Sequence, residues 1–182
     1  YLDGGDQGTV RVAGSLRARG ENPGETGGTI KVTGENIYVA EDAPADIDVS
    51  GMAGGGDIFI GGGYQGTGDL LHATITYIGS QALIKANAIS VGDGGQIIAW
   101  SDQDTYVHGI LETLGSSQGT GGLIETSGHT VDFNGATINP GVGGLRLVDP
   151  AGPLNISTYL GDITTALTTG SDYTLISTGA VD

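Results

Sequence analysis

The run 92-GDGGQIIAWSDQDTYVHGILETLG-115 decides the fold. It opens on glycines, passes through Gln96-Ile97-Ile98-Ala99-Trp100, turns at Ser101–Asp104 and resumes as Thr105-Tyr106-Val107. After His108-Gly109 it ends as Ile110-Leu111-Glu112-Thr113, closed by Gly115. Three short apolar runs, each ended by small or acidic residues, read as one turn of a coil of β-strands. No helical period survives those glycines.

Working outward, the glycine that precedes each apolar run serves as an anchor: Gly8 (GTVRV), Gly28 (GTIKV), Gly56 (GDIFI), Gly95 (GQIIA), Gly122 (GLIET) and Gly143 (GGLRL). Two places after the anchor stand Val10, Ile30, Ile58, Ile97, Ile124 and Leu145; four places after it stand Val12, Val32, Ile60, Ala99, Thr126 and Leu147. The residue between them is mostly polar: Arg11, Lys31, Phe59, Ile98, Glu125 and Arg146. That alternation predicts strands with one buried face. Further runs recur within the units, such as Ile37-Tyr38-Val39 with Ile47-Asp48-Val49, and Tyr77-Ile78 with Leu83-Ile84-Lys85. Units of this length with up to three strands, none able to bury its inner face alone, predict an all-β chain stacked as a parallel β-helix of about six coils.

Two places break the rhythm. The spacing from Gly56 to Gly95 is long enough for a loop insertion of about a dozen residues near 64–75. After Pro150, Tyr159, Leu160, Ile163, Ala166 and Leu167 fall at helical spacing, which predicts a short helix near 158–168 with Ser157 as N-cap and Gly170 as stop. Residues 1–150 are therefore expected to form the coils, and 151–182 a capping or connecting segment that continues them.

Composition limits the chemistry. Thirty-six glycines in 182 residues, without a period of three, mean dense turns, and with two Phe and one Trp the core has to be aliphatic. Six basic against 21 acidic residues give a net charge of −15, which makes nucleic acid and anionic membranes poor partners. Without cysteine there is neither a disulfide framework nor a thiolate metal site, and no apolar run is long enough to insert in a membrane as a helix. Carboxylates gather at Glu41, Asp42, Asp46 and Asp48 and at Asp102 and Asp104, both in turn-like settings, so no catalytic set is expected. His72, His108 and His129 fall in unrelated runs, and calcium-binding glycine-aspartate repeats do not occur in tandem, so neither metal nor cofactor is expected. Phe59, Ile98 and Trp100 stand out as large apolar residues at outward positions beside the insertion. The preferred expectation is that the insertion, with Tyr64, Leu70 and Leu71, folds back over them; the alternative is an exposed adhesive patch.

The ordered set of GGGYQG near 61–66, GDGG followed by Trp100 and an acidic turn, GGLIETSG at 121–128 and LRLVDP at 145–150 with a short Leu-containing helix after it resembles bacterial two-partner-secreted exoproteins. These are the filamentous-haemagglutinin-like and high-molecular-weight-adhesin-like proteins, and the resemblance spans roughly residues 27–178; Ala151-Gly152-Pro153 departs from the usual run after Asp-Pro. The resemblance implies a right-handed parallel β-helix from the repeat region that follows the secretion domain. It also implies export through a partner outer-membrane transporter to the cell surface or medium, and contact with a receptor or glycan on a host or neighbouring cell. Asn155-Ile156-Ser157 is a sequon of the kind glycosylated in some relatives, which makes Asn155 a candidate. Three readings follow: a non-enzymatic adhesin segment, a polysaccharide-active lyase or hydrolase on a β-helix, and a structural spacer. The enzyme requires carboxylates stacked on one outward face, where the column supplies only Glu125.

Overall fold

The computed structural model describes residues 1–153 and 155–177, and over these the chain forms three parallel sheets and one α-helix. The strands begin with β1 (Leu2–Asp3), β2 (Thr9–Val12) and β3 (Gly14–Arg17), then β4 (Thr29–Thr33), β5 (Asn36–Val39) and β6 (Ala45–Asp48). Next come β7 (Asp57–Ile60), β8 (Ile75–Ile78) and β9 (Ala82–Lys85), then β10 (Gln96–Trp100), β11 (Asp104–Val107) and β12 (Ile110–Glu112). β13 (Leu123–Gly128), β14 (Thr130–Asp132), β15 (Thr137–Asn139) and β16 (Leu145–Pro150) lead to helix α1 (Ile156–Thr168) and β17 (Asp172–Leu175).

Up to β13, each strand pairs in parallel with the strand three places on. The first sheet runs β1-β4-β7-β10-β13-β16-β17, the second β2-β5-β8-β11-β14 and the third β3-β6-β9-β12-β15. Parallel neighbours need a crossover, and here two strands of the other sheets supply it, the pattern expected of a parallel β-helix. Inside, like residues stack in register. Ile30, Ile58, Ile97 and Ile124 form one buried column of the first sheet, and Ile47, Ile84, Leu111 and Ile138 one of the third. Burial of each such side chain is worth about 1.5–3 kcal/mol.

The corner between the third and first sheets is built from paired glycines: Gly27-Gly28, Gly55-Gly56, Gly94-Gly95, Gly121-Gly122 and Gly143-Gly144. Backbone approaches backbone so closely there that a Cβ on Gly95 would collide with the carbonyl oxygen of Gly56, and one on Gly94 with that of Thr113. This pairing corrects two of the anchors. Gly8 follows Gln7 rather than a glycine, and its strand β2 pairs with β5 in the second sheet, while β1 is the first partner of β4. At the other end the corner residue is Gly144, not Gly143: Ile124 pairs with Arg146 and Glu125 with Leu147. Arg146 therefore points inward, at the end of the isoleucine column, and is fully buried.

The insertion occupies residues 61–74 and contains a 3-10 turn at Tyr64–Gly66; Ile75, expected inside it, is the first residue of β8. Helix α1 starts earlier than expected because its cap is Asn155, whose side-chain oxygen accepts the Ser157 backbone N–H at 3.0 Å and the Ser157 hydroxyl at 2.6 Å. Its threonines turn back on the helix: the hydroxyls of Thr164, Thr165 and Thr168 donate to the carbonyls of Leu160, Gly161 and Thr164. Gly170, at φ +81°, follows the last turn as a C-terminal stop. In chain order α1 takes the place of the next second- and third-sheet strands, while the first sheet continues to β17. Its Tyr159 and Ile163 pack with Val131, Phe133, Val148 and Tyr173.

Candidate functional site

The outward column of the first sheet reads Lys31, Phe59, Ile98, Glu125 and Leu147 in register, with Trp100, Ser127 and Asp149 in the column beside it. The insertion lies across this face. Ile98 is fully buried, Phe59 and Trp100 are half-buried, and Lys31 Nζ stands 5.9 Å from the Phe59 ring centre. Two glycines of the loop lie flat on the indole: a Cβ on Gly62 would come within 2.5 Å of Trp100 Cδ1, and one on Gly66 within 2.5 Å of Cζ2. Tyr64, by contrast, is exposed, and Leu70 and Leu71 are half-buried.

A carboxylate pins the loop down. Gln65, in the left-handed region at φ 51° and ψ 36°, aims its backbone N–H at both Glu125 oxygens, at 3.1 and 3.0 Å, and the Ser127 hydroxyl donates to the same group at 2.7 Å. Burial pushes the Glu125 carboxyl above its ordinary value, with the Asp149 charge adding to the rise; the Ser127 and Gln65 bonds and Arg146 oppose it. Asp149 is raised by burial as well. At the rim, the His72 ring lies 5.8 Å from the indole, and its Nδ1 is 3.1 Å from Asp102 Oδ1. A notch of about 290 Å³ opens between Trp100, Asp102, His129 and Asp149. Among the described residues the indole Nε1 is buried without a hydrogen-bond partner.

Three residues of the first acidic cluster have separate partners. Glu41 pairs with Arg11, Asp46 with Arg17 at 2.8 Å, and Asp48 with Arg19 at 3.6 Å, each arginine coming from the preceding turn of chain. His108 Nδ1 lies 2.9 Å from the carbonyl oxygen of Asn134, and His129 is exposed. Among the described residues no group of three His, Cys, Asp or Glu side chains is placed to hold a metal ion, and no helix is long and apolar enough to cross a membrane. Asn155 is exposed, with its amide oxygen engaged as the cap of α1.

The second sheet carries a feature that the anchor comparison passed over. Its outward column reads Arg11, Tyr38, Tyr77, Tyr106 and Asp132 in unbroken register. The tyrosine ring centres are 6.3 and 6.4 Å apart and tilted by 44° and 52°. The Arg11 guanidinium carbon stands 4.7 Å over the Tyr38 ring, and His108 meets Tyr77 edge-on at 5.8 Å. All three tyrosines are half-buried. The signal was present in the sequence, as tyrosine at the third place of NIYV, ITYI and DTYV.

Compared with known proteins, the chain matches no family model and no curated protein.

Proposed function

We propose that this chain is a right-handed parallel β-helix of about six coils from a large secreted or surface-exposed exoprotein of the filamentous-haemagglutinin-like type. In this reading a partner outer-membrane transporter exports the whole protein, the segment acts without catalysis in adhesion and cell contact, and residues 151–182 cap or extend the coils. The observation that carries the reading is the in-register stacking of three sheets, which turns the outer strand positions into long continuous columns suited to contact with a surface. The tyrosine column of the second sheet is the contact surface of choice, since the insertion already covers the outer face of the first. A hydrolase or lyase is disfavoured by the placement of the acidic groups: Glu125 is tied to Gln65 and Ser127, and Asp46 and Asp48 to arginines.

The test is adhesion of the purified chain to cultured cells and to arrays of glycans and matrix proteins. Saturable binding that a Tyr77→Thr/Tyr106→Thr variant loses is the expected result. Silence across every surface would leave the spacer.

A further inference from the structure

We infer that the tyrosine ladder of the second sheet is a docking surface for a basic, arginine-bearing segment of a partner protein, held by stacking of guanidinium groups on the Tyr77 and Tyr106 rings. The inference rests on the adhesion reading for its purpose and on the geometry of this face for its chemistry.

The first rung shows the mode of binding. Arg11 already lies over Tyr38 at 4.7 Å, with Glu41 as its ionic partner and most of its side chain in solvent. A cation on an aromatic face beside a carboxylate is thus a contact this surface makes with the chain's own arginine. Tyr77 and Tyr106 continue the column without an arginine beside them: Tyr77 lies between Tyr38 and Tyr106, and Tyr106 between Tyr77 and Asp132. Tyr106 has the fuller set of counter-charges. Asp104 is two places back on its own strand and so on the same face, and Asp132 stands opposite it in register. His108 borders both rungs, at 5.8 Å from Tyr77 and 6.5 Å from Tyr106.

Charge favours a basic partner over any other class. Beyond Lys85 the chain has ten acidic residues and one basic residue, Arg146, which is fully buried. On its own face the far end of the ladder carries Asp104 and Asp132 and no lysine or arginine, a local field that draws cations and repels acidic glycans and nucleic acid. Tyrosine and arginine are also the residue types that most often dominate binding energy at protein interfaces.

The experiment uses a fluorescein-labelled peptide of alternating arginine and glycine as the probe, with anisotropy as the readout, on the whole chain. Wild type should bind, more weakly at high salt. Tyr77→Phe/Tyr106→Phe keeps the ring faces and should bind within about threefold of wild type, whereas Tyr77→Thr/Tyr106→Thr should lose about tenfold or more. Equal binding by wild type and the Thr pair overturns the inference. So does a Phe pair as weak as the Thr pair, which would assign the contact to the hydroxyls, or displacement of the peptide by a neutral oligosaccharide. Should the Thr pair fail to fold by circular dichroism, chemical-shift mapping on the wild-type chain decides instead: peptide-induced shifts centred on Tyr77, Tyr106 and His108 support the site, and shifts elsewhere refute it. Cell adhesion is scored in parallel. Adhesion that persists where peptide binding is absent sinks the inference alone, while peptide binding by a chain that adheres to no cell sinks the adhesion reading alone.

Discussion

Arg146→Met should release helix α1 from the end of the core. Arg146 follows Ile30, Ile58, Ile97 and Ile124 in their column, with Tyr173 next in register; it has no exposed surface, and its guanidinium is held on three sides. Nε donates to Asp162 of α1 at 3.1 Å, Nη1 to the Leu147 carbonyl at 2.8 Å and Nη2 to the Thr126 hydroxyl at 2.9 Å, with the Phe133 ring 5.1 Å away. Methionine keeps the stem and removes the charge, which leaves Asp162, only 12% exposed, without its cation. Breaking one side of a buried ion pair costs about 3–5 kcal/mol. Stacked units unfold piecewise, so the loss should appear locally. Amide exchange across 156–168 and 172–175 should rise by roughly two to four orders of magnitude, at 1.36 kcal/mol per tenfold, while the column from Ile30 to Ile97 changes little. Adding Asp162→Leu removes the stranded carboxylate and should restore most of the protection, less about 1 kcal/mol for the hydrogen bond that the Tyr173 hydroxyl loses. Unchanged exchange in the single variant, or a double variant worse than the single, would refute this account of the helix.

Three further outcomes are expected. Because Glu125 is raised above its ordinary value of 4.5, its contribution to stability is full below about pH 4.5 and is lost as pH rises through the folded-state value. Urea denaturation across pH should therefore show the difference between wild type and Glu125→Gln falling from pH 4 upward, and a flat or rising difference would contradict the assignment. Gly66→Ala, at φ +63° and against the indole, should lift the insertion at a local cost of about 1–3 kcal/mol, read as a red shift of Trp100 emission and new protease cleavage within 61–74; unchanged emission would refute the contact. Gly95→Ala should abolish soluble folding, since its Cβ meets a backbone carbonyl, whereas Gly161→Ala, with open space around it in α1, should raise helix stability by about 0.8–1 kcal/mol; equal thermal midpoints for the two would discredit the corner geometry.

How much of this was legible in the sequence depended on which residues marked the phase. The parallel stacking was, because Ile30, Ile58, Ile97 and Ile124 recur two places behind glycine anchors. The phase at both ends was not, because a single glycine before an apolar run marks any turn, whereas only the close approach of two backbones demands a pair. Read by paired glycines, Gly8 drops out and Gly144 replaces Gly143, which alone would have placed Arg146 inside. The outward position of Phe59, Ile98 and Trp100 was legible from period two. That the insertion folds back over them was expected from its position; the means was not legible, since it rests on Gly62 and Gly66 against the indole and on Gln65 reaching Glu125 sixty residues away, while Tyr64 stays exposed. The carboxylate cluster at 41–48 read as solvated turns because its arginines lie one turn earlier in the chain, beyond the range of any local pattern.

The three outer faces differ in what they leave unsatisfied, and the proposed contact surface follows that difference. On the first sheet the apolar column is covered by the chain's own insertion, and its one buried carboxylate is bonded to that insertion. On the third, the outer column Arg17, Asp48, Lys85 and Glu112 alternates in sign from strand to strand, so its charges offset one another across the ladder before any partner arrives. Among the described residues the second sheet alone presents a repeated aromatic group with one arginine at one end and acidic residues at the other: Arg11, then Tyr38, Tyr77 and Tyr106, then Asp132. A face already neutral or already covered gains little on binding, because whatever it would gain from a partner it already has from itself. The tyrosine face lacks that self-sufficiency, so the same stacking that Arg11 makes within the chain remains to be made by another.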